Sequence, residues 1–73
     1  MREYLKEFRI AQNLSQIDIA NAIGVSQQYY SLIESGKRLD SLTVEIVSKL
    51  ANILNVSIEE IFYYEDQWSR KED

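Results

Sequence analysis

The sequence predicts an all-α domain, and three observations lead to this prediction. Proline is absent from the 73 residues and glycine occurs only twice, so the sequence forces few breaks in a helix. Apolar residues recur at spacings of three and four, which is the period of an amphipathic helix. Residues that favour helix caps divide this pattern into five short segments. Helices this short are unstable alone, so packing within one compact domain has to stabilise them.

Five helices are predicted from the points where the apolar pattern starts and stops. Their limits, in chain order, are Arg2 to about Gln12, Gln16 to Ile23, Gln27 to about Ser35, Val44 to Leu54 and Ile58 to about Tyr63. The side chains expected to face the core are Leu5, Phe8, Ile19, Ala20, Ile23, Tyr30, Ile33, Val44, Val47, Leu50, Ala51, Leu54 and Phe62. Residues 64–73 lose the helical pattern, so the chain is divided into a domain of residues 1–63 and a C-terminal tail of residues 64–73.

Stop and start signals separate helices 1 and 2. Asn13 adopts the left-handed conformation more easily than most residues and is expected to end helix 1. Ser15 is the expected N-cap of helix 2, and Asp18 three residues later completes a carboxylate version of the capping box. Gly24 adopts positive φ at little steric cost and is expected to end helix 2.

Similar signals limit the other three helices. The expected N-caps are Ser26, then Thr43 or Ser41, then Ser57, which forms a capping box with Glu60. Gly36 and Asn55 are expected to end helices 3 and 4. Residues 37–42 are predicted to form a loop.

Composition excludes several classes of function. Cysteine and histidine are absent, which removes disulfides, thiolate zinc sites, the usual general base and the commonest metal ligand. We therefore expect no enzyme, no cofactor and no bound metal, and interpret acidic pairs such as Glu59 and Glu60 as solvated charges. No apolar run reaches the ~18 residues of a membrane span, and the first residues do not resemble a signal peptide. A cytoplasmic protein is expected.

The distribution of charge qualifies the net charge of −4. A strong nucleic-acid binder usually has a basic excess, so the total argues against DNA. Residues 1–38, however, contain five basic and four acidic side chains, whereas residues 39–73 contain three basic and eight acidic ones. The acidity therefore lies almost entirely in the second half of the chain.

Residues 15–36 have the pattern of two helices joined by a tight turn. Ala20 and Gly24 lie four apart on one face of helix 2, and they provide a small residue where the helices cross and a turn residue that tolerates positive φ. Val25 and Ile33 are expected to fill the space between the helices. These are the requirements of a helix-turn-helix, whose second helix has an exposed N-terminus. There the helix dipole favours phosphate, and side chains can reach base edges in the major groove.

A series of short motifs is spaced along residues 4–63. They are Leu5-Lys6-Glu7-Phe8-Arg9, Leu14-Ser15-Gln16, Ile19-Ala20, Gly24-Val25-Ser26-Gln27, Ile33-Glu34-Ser35-Gly36-Lys37-Arg38, Leu50-Ala51, Leu54-Asn55-Val56-Ser57 and Glu60-Ile61-Phe62. In this order they resemble the Cro/CI (lambda-repressor-like, Xre-type) helix-turn-helix family. The resemblance implies a five-helix DNA-binding domain with the helix-turn-helix at helices 2 and 3.

The resemblance assigns base contacts to the recognition helix, which is helix 3. Gln27 and Gln28 match the first two positions of that helix, which point at base edges in phage repressors, and glutamine can bond adenine through N6 and N7. Leu32 lies one turn further along the same face, where the family commonly has a polar residue. It is expected either to contact a thymine methyl or to be a neutral surface residue.

Backbone contacts are expected around the same helix. The resemblance assigns Gln16, Lys37 and Arg38 to DNA phosphates. Tyr29 could bond a phosphate through its hydroxyl, and Ser26 either caps the helix only or also contacts a phosphate.

Charged residues of helix 1 have two predicted roles. Arg9 and Glu34 match a pair that forms an ion pair between helices 1 and 3 in relatives, so we interpret this pair as structural. Arg2 and Lys6 are further candidates for contact with the DNA backbone.

Large apolar side chains near the C-terminus predict an interface. Tyr63, Tyr64 and Trp68 are too many such groups for the surface of a monomer, so a homodimer contact is expected. The alternative is that they fold back onto their own domain.

Two hypotheses for function follow. The first is a sequence-specific DNA-binding transcriptional regulator, a repressor or autoregulator, that binds a near-palindromic operator as a homodimer. The second is a helix-turn-helix scaffold that acts mainly as a protein-interaction module, antitoxin-like or polymerase-contacting. The net charge and Leu32 motivate the second.

Overall fold

Five α-helices form the part of the chain that the computed structural model describes, which is residues 1–37 and 42–71. They are α1 (Glu3–Ala11), α2 (Gln16–Ile23), α3 (Gln27–Ser35), α4 (Val44–Leu54) and α5 (Ile58–Lys71). Helices α2, α3 and α4 have the predicted limits, and no strand occurs within these two ranges, so the all-α prediction is confirmed. None of the helices described is long and apolar enough to cross a membrane.

The predicted helix ends are confirmed by backbone conformation. Asn13, Gly24, Gly36 and Asn55 all have positive φ, between 57° and 84°. A left-handed residue directs the chain away from the helix axis and allows the last carbonyls to accept hydrogen bonds. At Gly24, for example, the amide N–H donates to the carbonyl of Ala20 over 2.9 Å.

Side-chain caps start the helices after α1. Ser26 Oγ accepts from the amide of Tyr29, and Thr43 Oγ1 accepts from that of Ile46. Thr43 is thus a cap of α4, while Ser41 lies outside the described residues. Glu60 donates its amide to Ser57 Oγ over 3.0 Å and accepts the Ser57 amide at its carboxylate over 3.2 Å, which completes the predicted capping box. These caps satisfy amides that the first turn of a helix leaves unpaired.

The capping box of α2 depends on a charged carboxylate. The amide of Ser15 donates to the Asp18 carboxylate over 2.9 Å, and the amide of Asp18 donates to Ser15 Oγ over 3.1 Å. The first of these hydrogen bonds, helped by the Ser15 side chain, lowers the pKa of Asp18 below its usual value. A carboxyl group whose pKa is lower in the folded than in the unfolded protein stabilises the fold at pH values above its pKa in the unfolded protein. This stabilisation is lost as the pH falls through the pKa of the group in the folded protein.

Acid should therefore weaken this cap. We expect Asp18→Asn to be less stable than the natural chain near neutral pH, because the amide cannot provide the charged acceptor. The difference should disappear in solutions acidic enough to protonate Asp18 in the folded protein. Urea denaturation of both chains across the acidic range measures it, and a difference that is the same at every pH would contradict the expectation.

The core lies between the five helices and contains most of the predicted residues. The buried apolar residues are Tyr4, Leu5, Ile19, Ala20, Ile23, Tyr30, Ile33, Val47, Leu50, Ala51, Leu54, Ile61 and Trp68. Two predicted core residues are exposed: Val44, at 71%, and Phe62. Val44 is the first residue of α4 and lies nearly one turn before Val47, the first buried residue of that helix. On α5 the inward position belongs to Ile61, and its neighbour Phe62 therefore points outward.

Helix α5 is longer than the sequence predicts. It continues from Ile58 to Lys71, whereas the apolar pattern predicts an end near Tyr63. The inward face continues through Ile61, Glu65 and Trp68, at helical spacings of four and three. Because the charged residue Glu65 occupies the middle of this face, the apolar pattern in the sequence stops before it. Residues 64–71 are thus part of the last helix, and the predicted helix end was wrong.

Arg2 compensates the charge of Glu65 within the fold. Its side chain is fully buried, and Nε and Nη2 donate to the two carboxylate oxygens of Glu65 over 2.8 and 3.0 Å. Nη1 donates to the carbonyl of Ile33 over 2.6 Å, and the guanidinium carbon lies 4.4 Å from the ring centroid of Trp68. We call Arg2, Glu65, Trp68 and the Ile33 carbonyl the Arg2 network. The prediction that Arg2 contacts DNA was wrong, because the network buries it.

Tyr4 joins α1 to the same carboxylate. Its hydroxyl donates to Glu65 over 2.7 Å, and its ring stacks on Tyr64 with centroids 5.9 Å apart. Burial raises the pKa of Tyr4 well above its ordinary value, and the hydrogen bond to Glu65 raises it further. The hydroxyl therefore stays protonated and continues to donate.

Candidate nucleic-acid interface

The turn between α2 and α3 brings two helices into close contact. Ala20 is buried, and its carbonyl accepts hydrogen bonds from both Gly24 and Val25, at 2.9 and 3.0 Å. Val25 is half-buried against the core, and Ile33 of α3 is fully buried. The predicted packing roles of these residues are confirmed. This geometry orients α3 so that its first turn lies at the surface.

Polar side chains at the start of α3 face solvent. Gln27 and Gln28 are exposed in the first turn, directly after the Ser26 cap. Together with Gln16 of α2 and with Ser31 and Leu32, they line an open cleft of about 450 Å³. We call this the recognition cleft. It brings together four residues that the sequence singled out for DNA contact, namely Gln16, Gln27, Gln28 and Leu32.

Ser31 belongs to the cleft and was not among the predicted residues. It lies three positions after Gln28 and four after Gln27, so it shares their face of the helix. Helical spacing from the two glutamines was a sufficient signal to identify it. A hydroxyl in the major groove can donate to or accept from base edges.

Glu34 holds Gln16 at the edge of the cleft. The Glu34 side chain is almost completely buried, and Oε2 accepts from Gln16 Nε2 over 2.6 Å. An amide nitrogen has two N–H groups, so one remains able to donate to a phosphate while the other bonds Glu34. The buried carboxylate thus fixes the orientation of the amide predicted to contact the DNA backbone.

Arg9 neutralises the same carboxylate from α1. Its Nε and Nη2 lie 3.2 and 3.1 Å from Glu34 Oε1, and Nη1 donates to the carbonyl of Leu14 over 3.0 Å. Arg9, Glu34 and Gln16 therefore connect helices α1, α3 and α2. The sequence indicated the Arg9–Glu34 pair through its resemblance to relatives, but nothing in the pattern showed that Gln16 joins it.

The other described residues that are predicted to contact the DNA backbone do not line the recognition cleft. Ser26 caps α3 and is exposed, and Tyr29 is half-buried. Lys37 is exposed directly after Gly36, and its amide donates to the carbonyl of Leu32 over 3.0 Å. Arg38 lies outside the described residues.

Internal ion pairs reduce the basic charge that can face a ligand. Arg2 and Arg9 are bonded to Glu65 and Glu34, so neither contributes an uncompensated positive charge to the surface. Lys6 and Lys37 are both exposed. The first half of the chain, residues 1–37, is thus less basic at its surface than its composition indicates.

The three predicted dimer residues have different environments. Tyr63 is 60% exposed and makes an edge contact with Tyr64, with ring centroids 5.2 Å apart. Tyr64 is less exposed and also packs against Tyr4 and Phe8 of α1. Trp68 is buried in its own chain beside Arg2, so its prediction as a dimer contact was wrong and the alternative of folding back holds for it.

Together, the tight α2–α3 turn and the exposed polar start of α3 define a DNA-binding helix-turn-helix domain. A helix-turn-helix family model matches residues 5–61. The chain therefore belongs to the helix-turn-helix family of transcriptional regulators, of the Cro/CI type that its motifs resemble.

Relatives of similar length support this family membership. The chain is 44% identical over 66 residues to an uncharacterized HTH-type transcriptional regulator of Methanocaldococcus jannaschii, a match that covers 90% of this chain and 97% of the relative. It is 33% identical over 73 residues to an uncharacterized HTH-type transcriptional regulator of Archaeoglobus fulgidus, covering 97% and 100% of the two chains. A third relative, YqaF of Bacillus subtilis, is 36% identical over 44 residues, 60% of this chain and 58% of its own.

Proposed function

We propose that this protein is a sequence-specific transcriptional regulator, a repressor or autoregulator, that binds a near-palindromic operator as a homodimer. The recognition cleft carries the proposal, because it gathers Gln27, Gln28 and Leu32 at the exposed first turns of α3. Amide side chains at this position can bond base edges in a major groove ~12 Å wide. The proposed role is binding to double-stranded DNA in the cytoplasm, without catalysis, cofactor or metal.

Phosphate contacts are assigned to residues at both ends of α3 and at the start of α2. Gln16 has an N–H group that Glu34 does not use, and Lys37 is exposed after the C-terminus of α3. Ser26, Tyr29 and Arg38 complete the proposed set. Phosphate contacts of this kind fix the register of the recognition helix on the duplex, whereas contacts to base edges supply specificity.

The homodimer is proposed from the exposed apolar side chains of α5. Ile58, Phe62, Tyr63 and Tyr64 are all exposed on this helix. A second copy of the chain, related by a two-fold axis, would cover these side chains and place its own α3 ~34–36 Å away, one turn of DNA along the duplex. An operator with matching symmetry follows from that arrangement.

A second candidate function is that of a protein-interaction module. The same exposed α5 side chains, together with the absence of any basic residue from α3, favour it. In that case an antitoxin-like or polymerase-contacting surface would use the helix-turn-helix as a scaffold, and DNA would be a weak ligand or none.

Selection of bound duplexes from a random pool distinguishes the two functions. We expect a near-palindromic consensus with half-sites one helical turn apart. On the selected operator, log K against log[salt] should have a slope of about −5, as for ~6 phosphates neutralised by a dimer. The same protein preparation is used for the consensus and for the salt dependence. The salt dependence is measured by fluorescence anisotropy at several salt concentrations.

Lys37→Gln provides the matched control for the salt measurement. Removal of one phosphate contact from each protomer should make the slope shallower by roughly 2 in a dimer, with the consensus unchanged. If the pool yields no consensus, or if binding to the consensus is independent of salt, the protein is not a sequence-specific DNA-binding regulator.

A further inference from the structure

We propose that the recognition cleft selects A·T base pairs, with adenine bonded by Gln27 or Gln28 and a thymine C5-methyl group packed against Leu32. The inference rests on the proposed function and adds the identity of the contacted bases. It makes Leu32 a specificity-determining residue rather than a neutral surface position.

The exposed face of α3 is uncharged, which is the first observation that carries this inference. Gln27, Gln28, Ser31 and Leu32 are the side chains that α3 contributes to the recognition cleft. The single charged residue of the helix, Glu34, is buried and bonded to Arg9 and Gln16. Guanine is most commonly recognised by arginine or lysine, which donate to O6 and N7. Since α3 has neither, a G·C pair at the contacted positions lacks its usual partner, whereas glutamine matches the donor and acceptor of adenine.

Leu32 is the second observation. It is 36% exposed and forms an apolar part of an otherwise polar cleft. An exposed apolar side chain gains from burial only against another apolar group. In the major groove, the apolar group that base pairs present is the C5-methyl of thymine. The residue that departs from the polar type common at this position therefore matches a chemical feature of the A·T pair.

Helical spacing allows both contacts within one half-site. Gln28 and Leu32 are four residues apart on one face, so their Cβ atoms are separated by ~5–6 Å. Base pairs are spaced by ~3.4 Å along the duplex, so the two side chains reach positions about one to two base pairs apart. An adenine and a nearby thymine can then be contacted by the same helix.

Replacement of thymine by uracil in the selected operator tests the inference. Uracil keeps the Watson–Crick pairing and the O4 acceptor and lacks only the methyl group. At the contacted position we expect uracil to weaken binding by about fourfold per half-site. This is the factor that corresponds to the free energy of burying one methyl group. With Leu32→Ala the affinity for the thymine operator should fall, and the difference between thymine and uracil should disappear.

Two control variants make the result specific. Leu32→Met keeps an apolar side chain of similar volume and should retain the preference for thymine. Ile10→Ala removes an exposed apolar side chain from α1, outside the recognition cleft, and should also retain it. Circular dichroism of each variant verifies that the helices are intact.

The possible outcomes separate this inference from the function on which it rests. A consensus with G·C pairs at the contacted positions would overturn the inference and leave the regulator function standing. So would a preference for thymine that persists unchanged in Leu32→Ala. Failure to select any DNA sequence would overturn the proposed function, and the inference with it.

Discussion

Replacing Arg2 with methionine should lower the free energy of unfolding by about 3–5 kcal/mol, the range measured when one partner of a buried ion pair is removed. The substitution leaves the carboxylate of Glu65, which is only slightly exposed, without its bidentate partner. It also leaves the carbonyl of Ile33 without the donor at 2.6 Å. A domain of this size has a total stability on the order of 4–11 kcal/mol, so the variant should be partly unfolded at moderate temperature.

Urea denaturation followed by circular dichroism measures this change. Lys6→Met is the matched control, since it removes a cationic side chain that is exposed on α1, and its effect should be within about 0.5 kcal/mol. The double variant Arg2→Met with Glu65→Leu should regain part of the loss, because no unpaired buried charge remains. A loss below about 1 kcal/mol in Arg2→Met would show that the Arg2 network does not stabilise the fold.

Replacing Gln27 or Gln28 with alanine should weaken operator binding by about 1–3 kcal/mol for each good base contact removed, which is roughly 5- to 150-fold. Binding to unrelated DNA should be nearly unchanged, because that binding depends on phosphate contacts. Both side chains are exposed, so the substitutions should leave stability within about 0.5 kcal/mol of the natural chain.

Competition between the operator and a scrambled duplex at fixed salt measures this specificity. Gln12→Ala is the matched control, since it makes the same chemical change at an exposed position after α1, outside both the recognition cleft and α5, and should leave both affinities unchanged. Equal losses on operator and scrambled DNA would refute a base-contacting role for the two glutamines.

Local signals account for the part of the fold that the sequence predicts well. The caps at Ser15, Ser26, Thr43 and Ser57 each depend on residues no more than three positions away. The ends of α2, α3 and α4 likewise depend on one residue that adopts positive φ. Caps and helix ends involve residues that are close together in the sequence, so the spacing of those residues is sufficient to locate them.

The second half of α5 depends instead on residues that are distant in sequence. Glu65 on the inward face of this helix is acceptable only because Arg2 is buried beside it. Without knowledge of that partner, a charged residue indicates solvent, and the apolar pattern ends too early. For the same reason, the sequence did not predict that Trp68 is buried against Arg2.

The residues that line the recognition cleft could be predicted from the sequence, whereas the hydrogen bonds that hold Gln16 at its edge could not. The positions of Gln27, Gln28 and Leu32 follow from the start of α3 and from helical spacing. The hydrogen bond from Gln16 to Glu34 joins side chains 18 positions apart and needs a third helix to supply Arg9. Contacts of this kind depend on tertiary packing, which periodicity does not describe.

The Arg2 network also has a consequence for the kinetics of folding. Its bond to Glu65 joins residues 63 positions apart, nearly the whole chain, whereas the caps and the α2–α3 turn need only neighbouring residues. Closing so long a loop has a large entropic cost, so we expect this contact to form after the rate-limiting step. Its loss should then accelerate unfolding and leave the refolding rate nearly unchanged. Arg2 would thus set the lifetime of the folded state rather than the speed at which it is reached.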